Sequence, residues 1–195
     1  MLNLYAVRAP ARGRSKTAQN THRVQRARPG RPVVLRDGSQ VLIRQVQPAD
    51  AALLADGFAR LSARSRWMRF LAPKRELSHA ELRYLTQIDH HDHEAVGAVN
   101  RADGRGVGVA RYIRDAADPQ AADVAVTVID DWQGRGLATE LLTQLAMRAR
   151  EEGIRRFTAL VVADNTAVAR LLWRAGARLV CRDCDTLEFE VVLGP

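Results

Sequence analysis

The sequence predicts a single mixed α/β (α+β) domain, and three observations support this fold class. Its 195 residues are enough for one domain with a full-sized hydrophobic core. Segments rich in β-branched residues alternate with segments of helical periodicity along most of the chain. Residues 124–145 contain a strand, a glycine loop and an amphipathic helix in direct succession, which indicates a helix that packs on a sheet.

The first half of the domain is predicted to hold one strand, three helices and a two-stranded hairpin. Asp37-Gly38 indicates a turn before the first strand, and Pro48 suits the start of the first helix. Ser78 and Glu81 have the spacing of a capping box, which favours a helix start there. The predicted bounds are 41–46 for the strand, 50–61, 62–70 and 78–88 for the helices, and 94–100 and 107–114 for the hairpin.

The second half is predicted to alternate strands with two helices and to end in a pair of strands. Leu137, Leu141 and Leu145 recur at the i, i+4 spacing of one buried helix face. Gly153 and Gly176 suit the ends of the two helices. The predicted bounds are 124–129, 157–162, 178–182 and 186–192 for the strands, and 137–153 and 165–175 for the helices.

The net charge of +8 belongs to the start of the chain. Residues 1–36 hold nine basic side chains and no acidic one, whereas the remaining residues hold 21 basic and 22 acidic side chains. We therefore predict a basic, disordered N-terminal extension over 1–32 and a folded domain over 33–195. Three interpretations of the extension stay open: a solvated extension, an arm that binds nucleic acid or an acidic partner, and an organelle presequence. The near-neutral domain itself is not expected to bind nucleic acid.

Two further patterns are expected to be structural. Cys181 and Cys184 form a Cys-x-x-Cys without the second pair of a zinc site, so we expect reduced thiols in a cytoplasmic protein. The run 90–94, His-His-Asp-His-Glu, is predicted to be a surface turn with Glu94 entering the sheet, so no metal is expected there. No apolar run approaches the length of a membrane span, and no membrane partner is expected.

The glycine loop at 133–138 predicts an anion site at a helix start. A helix N-terminus exposes unpaired backbone N–H groups and the positive end of the helix dipole. Glycine at 134 and 136 lets a bulky anion lie against the backbone. The loop is not a P-loop, because no Gly-Lys-Ser/Thr follows, and Thr139 stands where a dinucleotide fingerprint has its third glycine. The anion is therefore not expected to be a nucleotide of the usual kinds.

Gln133-x-x-Gly136-x-Ala138 resembles the Gln/Arg-x-x-Gly-x-Gly/Ala signature of the GNAT superfamily of acyl-CoA-dependent N-acyltransferases. The element order over 33–193 is similar to the GNAT fold, a central, mostly antiparallel twisted sheet of six to seven strands flanked by four to five helices. The front half resembles the GNAT domain of bacterial protein-lysine acetyltransferases. The residues that carry this likeness are Asp37-Gly38, Ile43-Arg44, Pro48-Ala49-Asp50, Leu61-Ser62, Ser65, Arg69-Phe70, Leu77-Ser78, Leu85-Thr86-Gln87-Ile88-Asp89 and His93-Glu94-Ala95.

The resemblance implies acetyl-CoA as cosubstrate and no metal. Its pyrophosphate would lie on the backbone N–H groups of 134–139 with charge added by Arg135, and its pantetheine would pair with the strand at 126–128. A backbone N–H near Val126 would bind the thioester oxygen. Asn165 would hydrogen-bond the pantetheine, although asparagine is also a favoured helix N-cap. The predicted cofactor-binding residues are Val126, Thr127, Val128, Gln133, Gly134, Arg135, Gly136, Leu137, Ala138, Thr139 and Asn165.

The resemblance also implies a general base. Related lysine acetyltransferases use a glutamate early in the central strand, and the matching residue here is Asp123. Aspartate is one methylene shorter, so we expect it to reach the amine through a water molecule. Glu94 is the alternative base. The tyrosine that many GNATs use as an acid falls on Leu172, so no side-chain acid is predicted.

Three functions stay open at this point. The favoured function is that of an acetyl-CoA-dependent N-acetyltransferase that acts on a primary amine, with a protein lysine as acceptor. The alternatives are a small-molecule amine or polyamine N-acetyltransferase and a catalytically weak acyl-CoA-binding regulatory module. Nucleic acid is expected as a partner only through the N-terminal arm, and the protein is expected to be a monomer or a homodimer.

Overall fold

Eight strands and five helices make up the chain from residue 29 to residue 194, the part that the computed structural model describes. The predicted disordered extension, 1–32, lies mostly on residues outside this range and stays a prediction there, but its last two residues, Arg31 and Pro32, belong to the first strand. The strands are β1 (Arg31–Val34), β2 (Gln40–Gln45), β3 (His93–Asn100), β4 (Gly106–Arg114), β5 (Ala121–Val128), β6 (Arg156–Val162), β7 (Arg178–Arg182) and β8 (Thr186–Val192). The helices are α1 (Ala51–Ala59), α2 (Ala63–Phe70), α3 (His79–Thr86), α4 (Leu137–Glu151) and α5 (Thr166–Arg174).

Local sequence signals explain several helix starts. The Ser62 side chain accepts a hydrogen bond from the backbone N–H of Ser65 and so caps α2. Ser78 and Glu81 form the predicted capping box at the start of α3, in which each side chain satisfies a backbone N–H of the other residue. Short 3₁₀ turns at Pro48–Asp50 and Asp130–Trp132 lead out of β2 and β5.

The strands form a single mixed sheet in the order β1-β2-β3-β4-β5-β6-β8-β7. The predicted fold class is confirmed, but the sheet has eight strands where six to seven were expected. The additional strand is β1, which starts at Arg31 and pairs antiparallel with β2. Its four residues are mostly exposed and do not alternate between apolar and polar, so the sequence carries no strand signal there.

Helices cover both faces of the sheet. Leu137, Leu141 and Leu145 of α4 are at most 1% exposed, and two of them lie against Gly108 of β4, where a Cβ would meet Leu141 Cδ1 at 3.1 Å. Helices α1, α2 and α3 pack on the opposite face, where they line a partly open pocket of about 100 Å³ together with Arg111 and Thr127. The two faces of β5 therefore have different neighbours.

The join between β5 and β6 positions the site. Every other pair of neighbouring strands is antiparallel, whereas β5 and β6 are parallel. Their register covers three residue pairs, Ala121 with Arg156, Ala122 with Phe157 and Asp123 with Thr158. Beyond Asp123 the two strands diverge, and a groove opens within the sheet.

Between residues 29 and 194, no helix is both long enough and apolar enough to cross a membrane.

Candidate functional site

A groove of about 410 Å³ lies between the diverging ends of β5 and β6. Its walls come from both strands, from the glycine loop and from one side of α5. Ten of the eleven predicted cofactor-binding residues line it: Val126, Thr127, Val128, Gln133, Gly134, Gly136, Leu137, Ala138, Thr139 and Asn165. The fold thus brings together residues that lie up to 39 positions apart in the sequence.

The glycine loop has the backbone of an anion site. Gly134 and Gly136 have φ values of +78° and +92°, in the left-handed region that favours glycine. Gly136 is the N-cap of the 15-residue helix α4, and no side chain caps this helix start. The first backbone N–H groups of α4 are therefore available to a ligand, at the positive end of the helix dipole.

Arg135 is the predicted residue outside the groove lining. Its guanidinium donates to Asp37 Oδ2 at 2.8 Å, to Ser39 Oγ at 3.1 Å and to the Asp131 carbonyl at 2.6 Å. It also stacks on Trp132, with its central carbon 4.8 Å from the ring centroid. Arg135 therefore ties the β1–β2 turn to the glycine loop, and its contact with a phosphate stays a prediction.

A second arginine, Arg36, also lies against the glycine loop, and the sequence did not predict this role. The Arg36 backbone N–H donates to the Arg135 carbonyl at 3.3 Å, and the Arg36 side chain crosses the face of Gly136. A Cβ at position 136 would lie 3.4 Å from Arg36 Nε. The exposed Arg36 side chain lines the groove, although the charge count had included it only among the basic residues of 1–36. Its place directly before the Asp37-Gly38 turn was the available signal.

Gln133 and Asn165 hold the two ends of the groove. The Gln133 side-chain amide donates to the Val128 carbonyl at 3.1 Å and so secures the end of β5. The Asn165 side-chain oxygen accepts from the Val168 backbone N–H at 3.2 Å, the N-cap bond that the sequence allowed. The cap leaves the amide nitrogen of Asn165 to other partners, so a contact with a ligand stays a compatible prediction.

Asp123 lies half-buried at the point where β5 and β6 part. The Thr158 hydroxyl on β6 donates a hydrogen bond to Asp123 Oδ1. Strand register puts both side chains in one row across the sheet. This row, which we call the base row, consists of His93, Ile113, Asp123, Thr158 and Glu190.

Glu94, the alternative base, lies on the other face of the sheet. It is 0% exposed and accepts hydrogen bonds from Gln45 Nε2 at 2.8 Å and Arg148 Nε at 3.0 Å, with His90 Nδ1 at 2.7 Å. Burial opposes its ionisation, but the hydrogen bonds from His90, Gln45 and Arg148 outweigh burial and hold the pKa of Glu94 below its usual value. This network therefore stabilises the fold above about pH 4.5, the usual value, and loses that contribution as the pH falls.

The histidine-rich run enters the sheet at His93, the first residue of β3. His93 stacks against Tyr84, with ring centroids 5.1 Å apart, and its Nε2 lies 3.0 Å from Arg111 Nη1. Burial, and then the Arg111 charge, lower the pKa of His93 to about 4, so it is neutral at pH 7. The described part of the chain contains no group of three or more His, Cys, Asp or Glu residues that could hold a metal ion.

Comparisons with known proteins agree with this architecture. Residues 40–178 match the model of the acetyltransferase (GNAT) domain. The chain is 33% identical over 164 residues to Acetyltransferase Pat of Mycolicibacterium smegmatis, a match that covers 84% of this chain and 49% of the relative. It is 36% identical over 144 residues to an acetyltransferase of Pseudomonas aeruginosa, covering 73% of this chain and 77% of that protein.

A solved structure extends the likeness to three dimensions. The GNAT domain of S. lividans PAT superposes with a TM-score of 0.79 at 32% identity, and the match covers 84% of this chain and 96% of that one. The chain spans about half the length of the Mycolicibacterium relative, so it corresponds to one part of that protein. The family predicted from the loop at 133–138 is confirmed. The chain belongs to the GNAT family of acetyltransferases.

Proposed function

We propose that this domain transfers an acetyl group from acetyl-CoA to the ε-amine of a protein lysine. The observation that carries the proposal is the groove between β5 and β6. One end of the groove meets the glycine loop at the start of α4, and the other end reaches Val124 and Ala159, the residues that follow the Asp123–Thr158 pair. An anion-binding end and a carboxylate end, joined by a channel within a sheet, are what a long phosphorylated acyl donor and an amine acceptor require.

The groove suits each part of acetyl-CoA. Glycine at 134 and 136 allows the pyrophosphate to approach the backbone N–H groups of α4, and Arg36 adds a positive charge beside them. Residues 124–128 of β5 have no register partner on β6, so their backbone can pair with the two amides of the pantetheine arm. The apolar side chains that line the groove are mainly valine, leucine and alanine, which suit the arm's methylene groups.

Asp123 is the base that the geometry favours over Glu94. A lysine amine has an ordinary pKa of about 10.4 and must lose a proton before it attacks the thioester carbon. Asp123 is half-buried at the vertex of the groove, whereas Glu94 is 0% exposed and held by Arg148 on the α4 face. Asp123 accepts the ammonium proton through a water molecule, and the neutral nitrogen then forms the new amide bond.

The leaving group needs no side-chain acid at α5. Collapse of the tetrahedral intermediate breaks the carbon–sulfur bond and releases the CoA thiolate. The attacking nitrogen gives its second proton to water, and the thiolate takes a proton from water. Leu172 stands where many GNATs have a tyrosine, and it is 4% exposed. A backbone N–H of β5 near Val126 stabilises the intermediate's oxyanion. Asp123 is therefore the one side chain that needs to exchange a proton during the reaction.

The surface beside Asp123 favours a polypeptide acceptor over a small amine. The base row continues from Asp123 through Thr158 onto β8, on the sheet face opposite α4 and α5. On this face Leu160 of β6 is 39% exposed and lies opposite the exposed Glu188 of β8, and Val192 of β8 is 73% exposed. An open sheet surface of this kind admits an extended chain, whereas a selective site for a small amine is normally a closed pocket.

Acetyl transfer to two substrate panels tests the proposal. Purified protein with acetyl-CoA is assayed against lysine-containing proteins and peptides and, in parallel, against polyamines and other small amines. We expect acetyl-lysine on the polypeptides, detected by mass spectrometry, and little product with the small amines. Selective acetylation of a polyamine would show that the acceptor is a small amine and not a protein lysine. Tight binding of acetyl-CoA by calorimetry without transfer to either panel would favour the regulatory module.

Replacement of Gly136 by alanine is expected to raise the dissociation constant of acetyl-CoA about ten-fold more than replacement of Gly134. Both variants place an alanine at positive φ, which costs about 1–2 kcal/mol in each case. Only the Cβ at 136 also lies in ordinary contact with Arg36, 3.4 Å from its Nε, and so fills space between that arginine and the helix start, whereas the Cβ at 134 has no neighbour within 4 Å. Calorimetry of both variants measures the difference, and equal dissociation constants would show that the close approach at Gly136 is unimportant.

Replacement of Arg36 by glutamine is expected to weaken acetyl-CoA binding about ten-fold, because a charged hydrogen bond to phosphate contributes about 1.5–3 kcal/mol. The same variant should bind acetyl-pantetheine, which lacks every phosphate, as the parent does. Arg182→Gln, at the exposed β7 edge, is the matched control and should bind both compounds normally. An equal loss for both compounds would mean that Arg36 supports the loop's shape instead of binding phosphate.

A further inference from the structure

The contact between Asp123 and Thr158 is the last link between the two halves of the sheet. It joins the third and final residue pair of the β5–β6 register, directly before the groove opens. The hydroxyl of Thr158 donates to Oδ1 of Asp123, so the carboxylate is held from the β6 side. The two residues are 35 positions apart, and α4 lies between them in the sequence.

The hydrogen bond to Oδ1 restricts the orientation of the whole Asp123 carboxylate. An aspartate side chain has two torsions, and a hydrogen bond to one oxygen limits both of them. With Oδ1 held by Thr158, the plane of the carboxylate is fixed from the β6 side, and with it the direction from which an amine or a bridging water can reach Asp123. The hydroxyl also stabilises the charged form of the carboxylate, since a donor to an anion favours the anion.

We propose that Thr158 is a positioning residue that aims Asp123 at the acceptor amine and keeps it in its basic form. The proposal rests on the proposed function, because it needs Asp123 as base. Thr158 does not touch the reacting atoms itself. It acts through the hydrogen bond to Oδ1. Because this bond joins the last residue pair before β5 and β6 diverge, it fixes the orientation of Asp123 at the entrance to the groove.

Other titratable and charged groups face this part of the sheet, and their distance from Asp123 decides whether they contribute to the pH profile of the reaction. On β3 and β4, His93 is neutral at pH 7, and buried Arg111 contacts its ring. On β8, Glu190 is next to Thr158 in the base row and pairs with Arg156 at 3.4 Å and Arg178 at 3.1 Å. From α3, Tyr84 has its pKa raised by burial. Strands lie about 4.8 Å apart, so His93 and Glu190 are each roughly 10 Å from Asp123, and Thr158 is its immediate neighbour on β6.

The test compares Thr158→Val with Thr158→Ser in the 195-residue chain. Valine keeps the shape of the side chain and removes the hydroxyl, whereas serine restores the hydroxyl alone. For Thr158→Val we expect kcat to fall about ten-fold and the acid limb of kcat/KM to move upward by about one pH unit. Thr158→Ser should return both quantities to within about two-fold of the parent. Thr186→Val, at the far end of β8, is the matched control and should leave the profile in place.

Two further measurements separate positioning from a merely structural role. If Thr158 only holds β5 to β6, the valine variant will show a lower melting temperature or weaker acetyl-CoA binding while the acid limb stays where it was. That result overturns the proposal. Asp123→Asn separates it from the proposed function: an inactive Asp123→Asn with an unmoved profile for Thr158→Val refutes positioning alone. A fully active Asp123→Asn refutes the base and the positioning residue together.

Discussion

Replacement of Asp123 by asparagine is expected to lower kcat about 10²–10⁴-fold, the usual contribution of a general base. Asparagine has the same shape and can still accept the Thr158 hydrogen bond through its side-chain oxygen, but it cannot take a proton from the amine. The dissociation constant of acetyl-CoA should stay within about two-fold of the parent, because deprotonation follows binding. Steady-state kinetics and calorimetry on the same preparation measure both quantities.

Two companion variants sharpen this result. Asp123→Glu restores a carboxylate one methylene longer, so we expect most of the activity to be retained. Asp115→Asn changes an exposed carboxylate in the β4–β5 loop and should behave as the parent does. Parental turnover by Asp123→Asn at neutral pH would remove Asp123 from the mechanism.

Replacement of Arg148 by methionine is expected to lower the free energy of unfolding by about 3–5 kcal/mol, the usual cost of leaving a buried charge without its partner. The Arg148 side chain is 9% exposed and contacts Glu94 at 3.0 Å, Glu152 at 3.0 Å and Glu151. Methionine fills much of the space but leaves the fully buried carboxylate of Glu94 without its cation. Urea denaturation of parent and variant gives the difference.

A double variant separates the effect of the unpaired Glu94 charge from the effect of the space that the smaller methionine side chain leaves. Arg148→Met combined with Glu94→Leu removes both charges, so we expect it to regain part of the stability lost by the single change. Arg178→Ala breaks an ion pair with Glu190 whose arginine is 75% exposed, and it should cost less than about 1 kcal/mol. A loss below about 1 kcal/mol for Arg148→Met would show that water or another group compensates Glu94.

Much of this fold could be predicted because its signals are local. Periodicity placed α4 and α5 within two residues of their observed ends, and a capping box placed α3. The β1 strand could not be predicted, because four mostly exposed residues gain their strand conformation from pairing with β2. Tertiary pairing of this kind overrides weak local preference.

The site shows the same division between local and long-range information. The glycine loop at 133–138 is a contiguous motif, so its place in the groove could be predicted. The roles of Arg36 and Thr158 depend on which strands are neighbours and in which register, and no short window of sequence holds that information. Glu94 and Arg148 are 54 positions apart, so their buried pairing was equally out of reach.

The short β5–β6 register has a thermodynamic consequence for ligand choice. The backbone groups of 124–127 that point away from β4 hydrogen-bond to water until a ligand displaces it, because β6 offers them no register partner. Exchange of such water for a ligand amide yields only about 0.5–1.5 kcal/mol per bond. The strand edge therefore contributes more to selectivity between ligands than to affinity. A compound without correctly spaced amides removes water from these backbone groups and gives them no hydrogen bond in return. Affinity has to come from the phosphate end and from the apolar walls.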